Sequence, residues 1–127
     1  MAQLISFVIP CYRSEKTIQA VVAEVAVAAE ALSDCEYEIV LVNDGSPDDT
    51  FSVIRSLCEA DTRIKGINLS KNFGQHAALM AGFRHVKGDI VVCLDDDGQT
   101  PAGEVNKLIE GIREGADVVY ARYEHKQ

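Results

Sequence analysis

Tryptophan is absent from this 127-residue chain, proline occurs three times, and acidic residues outnumber basic ones by 20 to 12. The formal charge of −8 argues against a surface built to grip nucleic-acid phosphates or anionic lipid, because both need clustered cations. It leaves open phosphate binding through a divalent cation. No apolar run approaches the ~18 residues of a membrane-spanning helix. The opening Met1-Ala2-Gln3-Leu4-Ile5-Ser6 has neither the basic start nor the long apolar stretch of a secretory leader. Cysteines number four, Cys11, Cys35, Cys58 and Cys93, and no two of them form a Cys-x-x-Cys pair. That spacing fits neither a structural zinc site nor a disulfide scaffold. Four reduced, mostly buried thiols and a cytoplasmic location are expected. Low-complexity tracts, long linkers and internal repeats are missing too.

What is present is the composition of an ordinary globular domain, 47% hydrophobic and 25% charged, at a length that suits one domain over 1–127. Short apolar runs alternate with longer segments of helical period. Ser6–Ile9, Ile39–Val42, Ile64–Leu69, Ile90–Leu94 and Asp117–Ala121 read as strands. The second and fourth are apolar on both faces, as central parallel strands are. Ile18, Val21, Val22, Val25, Ala29 and Leu32 form a helical stripe over about 15–32. Ser46-Pro47-Asp48-Asp49 reads as the start of a second helix, with Ser46 as N-cap, Pro47 at the first position and two acids facing the helix dipole. Phe51, Ile54, Leu57 and Cys58 carry its apolar face. A third helix is expected over about 74–86, and a fourth from Thr100-Pro101 to a stop at Gly115. The expected fold is α/β: a three-layer α/β/α, open, mostly parallel sheet.

In such sheets, ligands bind outside the carboxyl ends of the strands, near the point where strand order reverses. Those ends carry Pro10-Cys11-Tyr12-Arg13-Ser14-Glu15, Asn43-Asp44-Gly45-Ser46, Ser70-Lys71-Asn72-Phe73-Gly74 and Asp95-Asp96-Asp97-Gly98-Gln99. The turns at the amino ends, Lys87-Gly88-Asp89 among them, read as ordinary polar connections. Neighbouring carboxylates ~5 Å apart at an effective dielectric of ~20 repel by about 3 kcal/mol. That exceeds the roughly 0.3–1 kcal/mol an acid gains at a helix N-terminus, although splaying into water reduces the repulsion. Asp95, Asp96 and Asp97 therefore read either as a solvated acidic cap or as oxygen ligands for Mg²⁺ or Mn²⁺ shared with a phosphate. Asp44 reads as an acceptor for the amides of its own turn or for a nucleobase imino group. Glu15 reads as a first-turn acid. Lys71 and Arg13 are surface charges or face a diphosphate, and Tyr12 packs a base or fills its turn. His76, His85 and His125 have no ligand-like spacing.

Taken in order, Val8-Ile9-Pro10-Cys11-Tyr12, Val42-Asn43-Asp44-Gly45-Ser46-Pro47-Asp48, Asn72-Phe73-Gly74 and Leu94-Asp95-Asp96-Asp97-Gly98-Gln99-Thr100-Pro101 resemble the family 2 glycosyltransferases of GT-A fold. Within these, the group around the polyprenyl-phosphate enzymes and dolichol-phosphate mannose synthase is most similar, over about 4–122. The resemblance implies a Rossmann-like half that binds a nucleotide sugar, with UDP expected ahead of GDP. Pro10, Tyr12 and Glu15 would flank base and ribose, and Asp44 would read the base. Lys71, Asp95 and Asp96 complete the expected nucleotide site. Asp95 and Asp97 match the outer acids of the family's Asp-x-Asp, which joins a divalent metal to the diphosphate, and Gln99 matches a glutamine near that metal. Two stretches depart from the family: Tyr12-Arg13-Ser14 stands where Tyr-Asn-Glu is usual, and Gly98 and Thr100 flank Gln99 where Leu-Gln and paired prolines are usual.

The activity implied is metal-dependent inverting transfer from a nucleotide sugar to an acceptor such as a polyprenyl phosphate. Members of the family are longer, so the expectation is a donor-binding part preceding acceptor-binding and membrane-facing segments. Such a part binds donor weakly, shows little transfer alone, and belongs to an enzyme at the cytoplasmic face of a membrane. A non-catalytic sugar-nucleotide-binding module is the alternative. A phospho-receiver signalling domain is similar in bulk, but Cys11-Tyr12-Arg13 and Ser70-Lys71-Asn72 replace the acids it needs. A nucleotidyltransferase would open with a Gly-rich loop where Pro10-Cys11-Tyr12-Arg13 stands, and no phosphate-binding Gly-rich motif occurs elsewhere.

Overall fold

The computed structural model describes residues 3–31, 35–88, 90–94 and 118–120. In chain order the elements are β1 (Gln3–Cys11), α1 (Ile18–Glu30), β2 (Cys35–Asp44), α2 (Thr50–Ala60), β3 (Ile64–Leu69), α3 (Gln75–Phe83), β4 (Ile90–Cys93) and β5 (Val118–Tyr120). The described strands form one parallel sheet in the order β3-β2-β1-β4-β5. The expected open α/β class is what is found. Strand order reverses between β1 and β4, which makes their carboxyl ends the switch point. The expected fourth helix, from Thr100 to Gly115, lies outside the described residues.

The period of two along the strands sorts the core into two layers. Ile5, Phe7 and Ile9 of β1, with Ile39 and Leu41 of β2, pack against α1 and α2. Val8, Val40 and Val42 face the other way, against Ala78 and Leu79 of α3. Burying each such Val or Ile contributes about 1.5–3 kcal/mol. The α1 stripe buries Ile18, Val21, Val22, Val25, Ala28 and Ala29, close to the expected set. Cys11 and Cys93 are buried, Cys35 and Cys58 half-buried, and none of the four is in a disulfide. Among the described residues no helix is long and apolar enough to cross a membrane.

Two expectations need correction. The second helix begins at Thr50, with Asp49 as its N-cap, and not at Ser46. The Ser46 hydroxyl instead accepts the Arg13 N–H at 3.0 Å, so the Ser46–Asp49 stretch is a rim loop. The amino-end turn at Lys87-Gly88 is also more than a polar connection. The Lys87 N–H donates to Glu38 Oε2 at 2.7 Å and the Gly88 N–H to Ser6 Oγ at 2.8 Å. Glu38 is buried on β2, accepts the Ser6 hydroxyl at 2.5 Å and pairs with Lys65 Nζ at 2.7 Å. This buried network fixes the turn that leads from α3 into β4.

Candidate functional site

Five residues singled out from the sequence converge on the carboxyl edge of the sheet. Pro10 is the last residue but one of β1, Tyr12 and Glu15 lie in the loop after it, Asp44 ends β2, and Lys71 lies between β3 and α3. Asp95, Asp96, Asp97 and Gln99 lie outside the described residues. Among the described residues no group of three or more His, Cys, Asp or Glu side chains is placed to hold a metal. His76 and His85 are exposed, and the His85 ring nitrogen lies 2.9 Å from the Ala81 carbonyl of its own helix.

Pro10 opens the switch point. The Leu94 N–H donates to the Val8 carbonyl at 3.0 Å, so Val8 faces β4, and by the period of two Pro10 faces the same way. Proline has no N–H with which to extend that ladder. Among the described residues, register pairs between β1 and β4 run to Val8–Cys93.

The loop after β1 is latched to the loop after β2. Besides the Arg13–Ser46 bond, the Ser14 N–H donates to Thr50 Oγ1 at 2.9 Å. Asp48 receives the Thr50 N–H at 3.1 Å and the Thr50 hydroxyl at 2.5 Å, together with the Glu15 backbone N–H. Burial pushes the Asp48 carboxyl up, but these hydrogen bonds outweigh it and hold the group below its ordinary value. Asp48 thus works as a latch between loops and is not merely an acid facing a helix dipole. Arg13 adopts φ 53°, a conformation uncommon outside glycine. Its guanidinium lies 5.5 Å from the centre of the exposed Tyr12 ring and is raised in pKa mainly by a hydrogen bond to that side chain. Among the described residues the buried Ser14 hydroxyl has no hydrogen-bond partner.

Asp44 stands where the loops meet and is 4% exposed. Its Oδ1 accepts the Phe73 N–H at 2.8 Å and its Oδ2 the Gly74 N–H at 3.1 Å. The amides it satisfies therefore belong to the neighbouring loop and not to its own turn. Beside it, the Asn43 amide donates to Asn68 Oδ1 at 2.8 Å and accepts the Ser46 N–H at 3.2 Å, tying β2 to β3. Lys71 is exposed, with its ammonium 5.2 Å from the centre of the half-exposed Phe73 ring. Burial pushes the Cys93 thiol up to about 11, so β4 reaches the rim with a neutral side chain. Sequence reasoning missed Asp48, Thr50 and Asn43 as rim organisers. The only signal was a polar Asn43–Thr50 stretch, and its partners lie in other loops.

Comparison with known proteins gives the family and the fold. The profile of the family described as "Glycosyl transferase family 2" matches residues 6–127. An undecaprenyl-phosphate 4-deoxy-4-formamido-L-arabinose transferase of Aeromonas hydrophila is 40% identical over 126 residues, which is 98% of this chain and 38% of the relative. The Sodalis glossinidius protein of the same name is 41% identical, over 97% of this chain and 38% of its own length. The chain thus spans under two-fifths of these curated relatives. Among solved structures, the mannosyltransferase PcManGT from Pyrobaculum calidifontis, in complex with GDP-Man and Mn²⁺, is similar at TM-score 0.72 and 21% identity. That match covers 87% of this chain and 32% of the other. Glucosyl-3-phosphoglycerate synthase from Mycobacterium tuberculosis, in complex with Mn²⁺ and UDP-glucose, reaches 0.69 at 22% identity, covering 89% and 40%. These last two likenesses speak to fold.

Proposed function

We propose that this chain, which belongs to glycosyl transferase family 2, binds a nucleotide-sugar donor at the carboxyl rim described above. In the whole enzyme that donor's sugar passes to a polyprenyl phosphate. The observation that carries the reading is the convergence of Pro10, Tyr12, Glu15, Asp44 and Lys71 on one edge, at the switch point between β1 and β4. The names of the relatives at 40% and 41% identity support the choice of acceptor.

In this reading Tyr12 packs the base, and Asp44 accepts a base N–H on the lone pairs that its two loop amides leave open. Glu15, held through its backbone by Asp48, lies towards the ribose, and Lys71 faces the diphosphate. UDP is the expected nucleotide. Asp95, Asp97 and Gln99 would offer only oxygen donors, which suits Mg²⁺ or Mn²⁺, and such an ion when bound would neutralise charge on the diphosphate; Asp96 is assigned to the nucleotide. During transfer the bond from the anomeric carbon to the diphosphate oxygen breaks, and that oxygen keeps the electron pair. A phosphate acceptor attacks as an anion and needs no general base, whereas an alcohol would need one. In this reading the acceptor-binding and membrane-facing parts fall in the further length that the relatives have, and the whole enzyme works at the cytoplasmic face of a membrane.

Calorimetric titration with UDP, GDP and other nucleoside diphosphates, with and without Mn²⁺, tests this reading. UDP is expected to bind only with metal, and Asp97→Ala to abolish binding. Equal metal-free binding of every nucleotide would refute it.

A further inference from the structure

Resting on the donor-binding reading, we propose that Asp44 and Gly45 are positioning residues, which seat the Lys71–Gly74 segment so that the Lys71 ammonium is presented to the donor's diphosphate. Two independent features carry this. The first is chemical: the Asp44 carboxylate is divided between two successive backbone amides, those of Phe73 and Gly74, one on each oxygen. An anion that receives two N–H groups just before a helix also complements the positive end of α3. The second is steric. Gly45 has φ +65°, and a Cβ placed there would lie 2.2 Å from Asn72 N, 2.2 Å from Lys71 C and 2.7 Å from Lys71 Cα. The backbone of residues 71–72 therefore passes against Gly45 where no other side chain fits.

Asp44 and Gly45 thus hold successive parts of one segment by different means. Gly45 gives room to the Lys71–Asn72 backbone, and Asp44 pins the Phe73–Gly74 amides. Lys71 and Phe73 are both exposed, with the ammonium over the ring, so the position of that cation depends on the backbone beneath it more than on side-chain packing. A methyl group at residue 45 would move Lys71 while leaving the Asp44 carboxylate chemically intact. That separates positioning by these residues from contact with a base.

Amide hydrogen exchange on the nucleotide-free 127-residue chain reads the seating directly. Phe73 and Gly74 are expected to be protected, and to exchange about tenfold faster or more in Gly45→Ala and Asp44→Asn. Exchange at open-loop rates in the unaltered chain, or unchanged rates in both variants, would overturn the proposal. UDP titration in the presence of Mn²⁺ then tests presentation of Lys71 in a double-mutant cycle. Gly45→Ala and Lys71→Ala should each weaken binding about tenfold, and the double variant should bind no more weakly than Lys71→Ala. Multiplying effects would show that residue 45 does not act through Lys71 and would overturn it. If Gly45→Ala fails to fold, Asp44→Asn carries the exchange measurement. A chain that binds no UDP would end the donor reading and Lys71's role with it, while exchange still decides the seating.

Discussion

The side of β2 that faces α3 carries an acid at each end, Glu38 and Asp44, with Val40 and Val42 between them. Both acids are buried, and both receive backbone N–H groups from segments that flank α3. Glu38 takes the Lys87 amide after the helix, and Asp44 takes the Phe73 and Gly74 amides before it. They differ in what else surrounds them. Glu38 is completed by the Ser6 hydroxyl and the Lys65 ammonium. Asp44 has no ion pair among the described residues. A carboxylate offers about four acceptor positions, so the two loop amides leave Asp44 spare capacity at the rim. Two buried acids of one strand thus do different work: Glu38 accepts three bonds, one from a lysine ammonium, and anchors the fold, whereas Asp44 accepts two from loop amides where the ligand is expected.

The largest test of this contrast is Glu38→Ala. It strands the Ser6 hydroxyl and the Lys87 amide and leaves half-exposed Lys65 without its partner. Chemical denaturation should show a loss of about 3 kcal/mol, while UDP affinity of the folded protein changes less than in Asp44→Asn. Asp44→Asn should reverse the pattern, costing about 1–2 kcal/mol of stability but weakening UDP binding at least tenfold. If both variants lose stability alone, the distinction between the two ends collapses.

Acid should find the Glu38 end. Burial pushes its carboxyl up, but the bonds from Lys65, Ser6 and Lys87 outweigh burial and hold it below the ordinary value. Between that lower folded value and the unfolded value of about 4.3, the unfolded chain binds more protons. Stability therefore rises with pH through that window, is fully present above it, and is lost as pH falls through the folded value. Denaturation at stepped pH should show this slope, and Glu38→Gln should reduce it. The smallest expected effect is at Gly74, where φ is +100° and a Cβ would meet nothing within 4 Å. Gly74→Ala should cost only about 1 kcal/mol of backbone strain, against a larger loss for Gly45→Ala, where strain and collision add.

The order of strands and helices, the apolar faces and the rim that would carry Asp44 and Lys71 were written in local patterns, because hydrophobic period and turn residues act over a few positions. Membership of the family was legible for the same reason, in four short blocks. Which partner each polar group takes was not legible: Asp44 finds amides 29 and 30 residues away, and Glu38 binds Ser6 at a separation of 32 and Lys87 at 49. Local pattern also misjudged Ser46, a good N-cap on paper, whose hydroxyl the fold uses to hold Arg13 33 residues away. A buried donor or acceptor must be satisfied by whatever the packed chain brings within reach, and only the tertiary structure decides what that is.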